Sequence, residues 1–209
     1  MPLQLRSDGS LFIPEQRSLI ISDVHLGKDA SFRAAGIPVP AGINTQLLIQ
    51  ISTAIQSTRC DHLIFLGDLI HNRDSLTDSL INQFADWRAK HRELEITLVR
   101  GNHDRHVAEF PRSWQLETCF RYPLNKIHLV HDPASGASLG NQFFICGHLH
   151  PVVTIGSKAD RMRLRCFAQY QNHLVMPAFG PFKGGLNLSS RNMAACFAMS
   201  DNQIWCVKN

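Results

Sequence analysis

The sequence predicts a layered α/β sandwich, a single domain over residues 1–209, with alternating strands and helices first and a β-rich second half. Three observations carry this. Short apolar runs at residues 18–22, 62–66 and 94–99 read as buried strands. Between them, apolar residues recur at helical spacing, which gives the order β-α-β-α-β of a sheet covered by helices. Beyond Pro111 the helical signal fades and short strand patterns follow one another.

In chain order, SLIIS at residues 18–22 is a strand that stops at Asp23. Residues 28–42, rich in Gly, Pro and Ala, predict a loop. Residues 43–58 carry Leu47, Leu48, Ile51 and Ile55 on one helical face, with Asn44 as the expected cap. HLIFL at 62–66 is a second strand, ended by Gly67-Asp68. Residues 75–90 set Leu76, Leu80, Ile81, Phe84 and Trp87 on one face of a second helix. A third strand at 94–99 runs out just before Gly101-Asn102. Strand patterns then fall at 118–122, 127–130, 142–146, 163–167, 173–175, 194–199 and 203–207. No repeat, low-complexity tract or linker separates the halves, so they are expected to pack together.

Composition bounds the function. With 44% hydrophobic and 18% charged residues over 209 positions, the chain can bury a real core, which excludes wholesale disorder. A net charge of +4 leans towards an anionic partner, although solubility alone accounts for a charge of this size. Six cysteines are scattered without a CxxC pair. Residues 1–18 hold no signal-like apolar run, and no stretch of about 18 apolar residues occurs to span a bilayer. The expectation is a cytoplasmic protein with reduced thiols, most of them core fillers, and no membrane partner.

Chemistry concentrates in short Gly- and His-containing blocks. Asp23, Asp68 and Asn102 each follow a strand, and the carboxyl ends of strands are where α/β sheets bind ligands. Asp23-Val24-His25 and His148-Leu149-His150 place two donors on one side of an extended chain, within reach of one ion. Oxygen and imidazole donors without thiolate suit Mn²⁺, Fe or Zn²⁺ over Ca²⁺, while Mg²⁺ prefers oxygen shells. Asp23, His25, Asp68, Asn102, His131, His148 and His150 would over-supply one ion, and two ions sharing a bridging carboxylate would be well served. His128 lies three positions before His131, but inside a strand pattern, so His131 is the expected donor.

The ordered blocks DVH, GDLIH, GNHD, VHD and GHLH, from residue 23 to residue 150, resemble the signature of the calcineurin-like metallophosphoesterases. The resemblance implies a four-layer α/β/β/α sandwich with a dinuclear metal centre at one edge. It implies that Asp23, His25 and His150 bind one metal, that Asp68 bridges, and that Asn102, His131 and His148 hold the second. Asp132 follows His131 where the family often has Gly. His103 matches the catalytic histidine and Asp104 its orienting partner. Two cations about 3.5–4 Å apart activate a hydroxide and stabilise charge on a phosphoryl group. A histidine such as His103 can then protonate the leaving oxygen.

Outer motifs narrow the resemblance. Leu26-Gly27-Lys28, Ser31-Phe32-Arg33, Gly36-Ile37-Pro38 and the tail Pro177-Ala178-Phe179-Gly180-Pro181-Phe182 are similar to the bacterial ligase-associated DNA damage response endonucleases. That implies DNA as substrate, with DNA ligase or helicase repair partners. Lys28, Arg33, Arg73, Arg105 and Lys183 lie in loops near the metal motifs, where a cationic rim would attract phosphates. Lys28, Arg33, His71 and Arg105 are the candidate substrate contacts, His71 being first of all a neighbour that supports the ligands. Phe32, Phe179 and Phe182 are candidates for stacking on bases, and Arg161-Met162-Arg163-Leu164-Arg165 reads as an edge strand with one basic face. Rival readings are a small-molecule phosphodiesterase or pyrophosphatase acting on a cyclic nucleotide or nucleotide-lipid, and a non-catalytic metal-bound interaction module. The intact ligand set argues against the last.

Overall fold

Six strands lie side by side in chain order in the first sheet of the computed structural model, which describes residues 2–34, 36–40, 42–157, 160–180, 184–188 and 193–207. They are β1 (Gln4–Leu5), β2 (Leu11–Ile13), β3 (Ser18–Ile21), β4 (His62–Leu66), β5 (Glu95–Val99) and β6 (Glu117–Cys119). From β3 onward the neighbours are parallel, which demands crossover connections. Helices α1 (Lys28–Ala34) and α2 (Ile43–Thr58) lie between β3 and β4, and α3 (Asp78–Lys90) lies between β4 and β5.

Alternation along the three central strands builds two cores at once. Leu19, Ile21, Leu63, Phe65, Ile96 and Leu98 point to the helices, where they meet Leu47, Ile51, Leu80 and Phe84. Ile20, Ile64, Leu66 and Val99 point the other way, onto the second sheet. Helix α3 is well terminated: Thr77 accepts from the Leu80 amide, Asp78 opens the first turn, and Arg88 and Lys90 close the last. Helix α2 ends where Arg59 turns left-handed and its amide returns to the Ile55 carbonyl.

Two local expectations are corrected here. Residues 28–34 are helical rather than loop, because tertiary and i,i+4 bonds outweigh the composition. Buried Asp29 takes Arg33 at 2.7 Å and the Asn44 amide at 3.2 Å. Asn44 is therefore not a cap. Gly42 occupies the cap position without a side-chain bond, and the Asn44 carbonyl oxygen receives the Gly27 amide instead.

The second sheet comprises β7 (Tyr122–Leu124), β8 (Ile127–Leu129), β9 (Phe143–Cys146), β10 (Pro151–Gly156), β11 (Arg161–Tyr170), β12 (His173–Val175), β13 (Leu186–Asn187), β14 (Met193–Ser200) and β15 (Gln203–Val207). Its path runs β13-β10-β11-β12-β9-β8-β7, with β14 on β11 and β15 on β14. Its inner face supplies Leu129, Ile145, Phe167 and Leu174 to the shared core. Its outer face carries α4 (Pro133–Gly136), so close that a Cβ on Gly136 would lie 2.3 Å from the Phe144 ring. The layers are thus helix, sheet, sheet, helix, the last one thin. Strands β1, β2, β10 and β13 have no counterpart in the sequence pattern. Three of them are too short to show alternation, and β10 grows directly out of the His148-Leu149-His150 block. All six cysteines are free, and four of them are buried. No helix among the described residues is long and apolar enough to cross a membrane.

Candidate metal centre

The loops leaving β3 and β4 are zipped together by their backbones: Asp23 N to Gly67 O at 3.2 Å, His25 N to Asp68 O at 2.9 Å, Leu26 N to Leu69 O at 2.8 Å. This pairing forces Asp23, His25 and Asp68 to φ values of 55°, 51° and 49°. His148 and His150, after β9, have φ of 69° and 45°. Left-handed backbone is uncommon outside glycine, although Asp and His enter it more readily than most, and five such residues in one site mark surroundings that over-determine it. The other six described non-glycine residues with positive φ sit at helix ends and turns. Backbone strain outside such ordinary positions therefore gathers on the motif residues.

Their side chains converge in two groups, Asp23 with His25 and His150, and Asp68 with His131 and His148, the ligand atoms of each within 4.8 Å of one another. His150 Nε2 is 3.0 Å from Asp23 Oδ1 and 3.4 Å from His25 Nε2. His131 Nε2 lies 3.3 Å from Asp68 Oδ2, 3.9 Å from Asp23 Oδ1 and 3.2 Å from Asn102 Oδ1, so it joins the groups and brings in Asn102. His131 reaches the site whereas His128 stays in β8. Glycine is required where these side chains press on backbone. A Cβ on Gly101 would lie 2.1 Å from Asp68 Oδ1, and one on Gly147 would lie 1.9 Å from Ser22 Oγ.

Electrostatically, two buried carboxylates face each other across imidazoles. Burial pushes Asp68 up, but the hydrogen bond and charge of His131 outweigh it and hold the carboxyl at about 2. For Asp23 burial is likewise overcome, by His150 and then His131, and its carboxyl stays below the ordinary range. Burial lowers His25 to about 3 and leaves its Nδ1 without a hydrogen-bond partner among the described residues. Burial would also lower His131, yet the bond to Asp68 and the charge of Asp23 raise it to about 9. Two buried carboxylates that draw a histidine pKa upward against burial mark a place that wants positive charge. Carboxylates, an amide oxygen and neutral imidazoles are the donor set that Mn²⁺, Fe and Zn²⁺ accept, so the residues fit divalent cations.

His103 lies against this centre. Its amide donates to Asp68 Oδ1 at 3.0 Å, and its Nε2 is 3.8 Å from Asp68 Oδ2. Asp104 does not orient it. The Asp104 carboxylate is wholly buried and accepts from the Gly101 amide at 2.9 Å and the Ile70 amide at 3.4 Å. Burial, followed by the charge of Asp68, raises it to about 6. The partner of His103 Nδ1 is the backbone carbonyl of His71. The His71 ring stacks on that of His103 with centroids 5.4 Å apart, and a nitrogen of each, with one of His25, forms a third cluster within 4.8 Å.

The outer candidates divide. Burial lowers the Lys28 ammonium, which stands 5.7 Å over the Phe32 ring and whose charge bears on His25 and His71. Arg33 is committed to Asp29. Arg73 and Arg105 are exposed. Phe179 is buried in the helix-side core and cannot stack on a base. Phe182 and Lys183 lie outside the described residues. Sequence reasoning missed Ser22, whose hydroxyl donates to Asp23 Oδ2 at 2.5 Å, and the Leu66 carbonyl, which accepts from His131 Nδ1 at 3.0 Å. A serine ending a strand and a carbonyl inside one carry no pattern that could have revealed them.

Two sheets with strand ends meeting at a buried Asp–His cluster define a phosphoesterase-like metal site. Residues 17–178 match the model of the calcineurin-like phosphoesterases, and the chain belongs to that family. Its structure is similar to the crystal structure of Pseudomonas putida nuclease MPE, with TM-score 0.83 and 28% identity over 98% of this chain and 94% of that one. YfcE, a phosphoesterase from E. coli, covers 91% of this chain and 97% of its own at TM-score 0.42 and 13% identity. A novel archaeal phosphodiesterase covers 90% and 96% at TM-score 0.45 and 13% identity. No curated protein matches the chain.

Proposed function

We propose that the chain is a metal-dependent nuclease that hydrolyses phosphodiester bonds of DNA in DNA repair. The observation that carries this reading is the convergence of three strand-end oxygens with four imidazoles beside a fifth, His103. The likeness to a nuclease over nearly the whole chain supports it. In this reading Asp23, His25 and His150 would hold one divalent cation and Asn102, His131 and His148 another, with Asp68 the carboxylate that would serve both. Mn²⁺ is the proposed cation, Fe or Zn²⁺ fitting the same donors. Such a pair supplies a nucleophile from water at neutral pH and neutralises charge on the phosphoryl group.

The remaining work falls to the chain itself. Ser22 and the Leu66 carbonyl aim Asp23 and His131. The His71 carbonyl accepts a hydrogen bond from His103 Nδ1, which turns its Nε2 towards Asp68 and the reacting bond. Protonated there, His103 passes its proton to the leaving oxygen. Lys28 and Arg105 meet flanking phosphates, and His71 keeps His103 stacked. Arg33 and Asp104 serve the fold instead, one fixing α1 and the other the loop at Gly101. Repair partners such as a DNA ligase or helicase follow from the subgroup resemblance alone.

The test is Mn²⁺-dependent cleavage of labelled oligonucleotides by metal-stripped, reconstituted protein, with bis-p-nitrophenyl phosphate alongside. His103→Ala should lower turnover roughly 10²–10⁴-fold while metal content stays at the wild-type level. Loss of both ions in that variant would contradict its role. Hydrolysis of the small diester with every oligonucleotide intact would move the substrate to a small molecule.

A further inference from the structure

Strand β10 leaves the site without a break, since His150 is followed directly by Pro151. It returns as β11 through the register Val153↔Leu164, Thr154↔Arg163, Ile155↔Met162 and Gly156↔Arg161. Along these four rungs no third described strand adds to the pair. β13 reaches only Pro151 and Val152, and β14 joins β11 from Cys166 inward. The result is a projecting two-stranded ribbon whose outer half is solvated, with Met162 53% exposed. Such a ribbon is marginal alone.

Its charge is one-sided. Arg161, Arg163 and Arg165 alternate along β11, so they share a face, and Asp160 is the single acid among residues 151–165. Arg165, Arg163 and Arg161 lie at alternate rungs outward from His150, opposite Val152, Thr154 and Gly156. Arg165 is half-buried and donates to the carbonyls of Ala178 at 2.9 Å and Gly180 at 3.3 Å. Between those residues, Phe179 N donates to Ser22 O at 2.9 Å, beside Asp23. Arg163 bonds the Gly185 carbonyl, next to Leu186, whose amide reaches Leu149 O at 3.3 Å and His150 O at 3.2 Å. Arg161 is exposed at the outer end. The inner two tie the ribbon to the ligand loops, and the guanidinium of Arg163 carries five N–H donors, more than the Gly185 bond uses.

Resting on the nucleic-acid reading above, we infer that this ribbon is a phosphate-tracking arm that holds the strand continuing away from the scissile bond. Alternate side chains recur about every 7 Å along a β-strand, a spacing on which successive phosphates of an extended strand can be met in turn. Arg161 and Arg163 supply the charge, and Arg165 keeps the arm in register with the metal loops. Binding of this kind carries affinity without reading sequence.

The experiment compares wild type with Arg161→Glu and Arg161→Ala on a long single-stranded oligonucleotide and on bis-p-nitrophenyl phosphate. The diester, too short to reach the arm, should be hydrolysed equally by all three, which also checks folding. For the oligonucleotide, KM should rise roughly 3–10-fold, and the slope of log affinity against log salt should flatten by about 0.7 for each phosphate no longer neutralised. Oligonucleotide KM and salt slope unchanged in both variants would overturn the arm while leaving the nuclease intact. A wild type that cuts the diester and no oligonucleotide would instead overturn the nucleic-acid reading, and the arm with it.

Discussion

The two sheets bring different chemistry to one rim by the same device. In the first, the loops leaving the parallel strands β3, β4 and β5 carry Asp23, Asp68 and Asn102, so that sheet supplies the oxygens and one imidazole of the ligand set, His25. In the second, β8 and β9 are also parallel, and His131 and the pair His148 and His150 follow them. That sheet supplies nitrogen alone. Helices α2 and α3 announce the crossovers of the first sheet, whereas α4 and one further turn make the corresponding crossover of the second. Parallel strand ends are therefore what the site requires, and the covering helix is incidental. Each half is incomplete: carboxylates gather on one side and imidazole nitrogens on the other.

The largest effect should come from the residue that touches both halves. His131 Nε2 and the His103 amide both meet Asp68, so Asp68→Ala should empty both metal positions and lower turnover further than His103→Ala does. Metal analysis of the purified variant decides it. One full equivalent retained would mean that the halves hold their ions separately and that Asp68 does not bridge.

A smaller and one-sided effect is expected at Gly147. The added methyl of Gly147→Ala would sit 1.9 Å from Ser22 Oγ and 2.5 Å from Asp23 Oδ2. It would push the carboxylate of the first sheet off its partner in the second. Metal affinity should fall about 10–100-fold, as when a group that orients a metal ligand is removed. Gly184→Ala is the control, because a Cβ there meets nothing within 4 Å among the described residues. Equal metal affinity in the two variants would show that close packing between the sheets does not tune the centre.

The legible parts of this molecule are those written in local pattern. Strand runs ending in Asp23 and Asp68, the bounds of α2, and the DVH and GHLH blocks all announce themselves through neighbours in sequence. What escaped depends on distant partners. Helix α1 is hidden by its Gly- and Pro-rich flanks and held by Asn44 on Asp29. Asp104 follows His103 in sequence, yet its carboxylate turns inward to two amides while the ring finds a carbonyl from another loop. Arg33 looks like a free cation until Asp29 is seen four residues back. The aromatic ring of Phe179 is buried because its backbone is bonded to Ser22.

The smallest effect tests whether a histidine outside the rim behaves differently from those in it. His62 begins β4, is 7% exposed, and shares a 2.9 Å bond with Thr97 Oγ1 from β5. Burial lowers its pKa, against the opposing pull of Glu95 and Glu117. Protons thus bind the unfolded chain more readily than the folded one. The stability this histidine contributes is complete above its ordinary value near 6.5 and drains away as pH falls towards the lower folded value. Denaturant midpoints measured at neutral and mildly acid pH should therefore fall more for wild type than for His62→Gln, which keeps a hydrogen-bonding group for Thr97 but does not titrate. Measurements on metal-loaded protein, repeated after metal removal, separate this slope from proton competition at the rim, where acid would displace the cations. If wild type and variant lose the same stability on acidification with and without metal, His62 contributes nothing to the pH dependence and the whole of it belongs elsewhere in the chain.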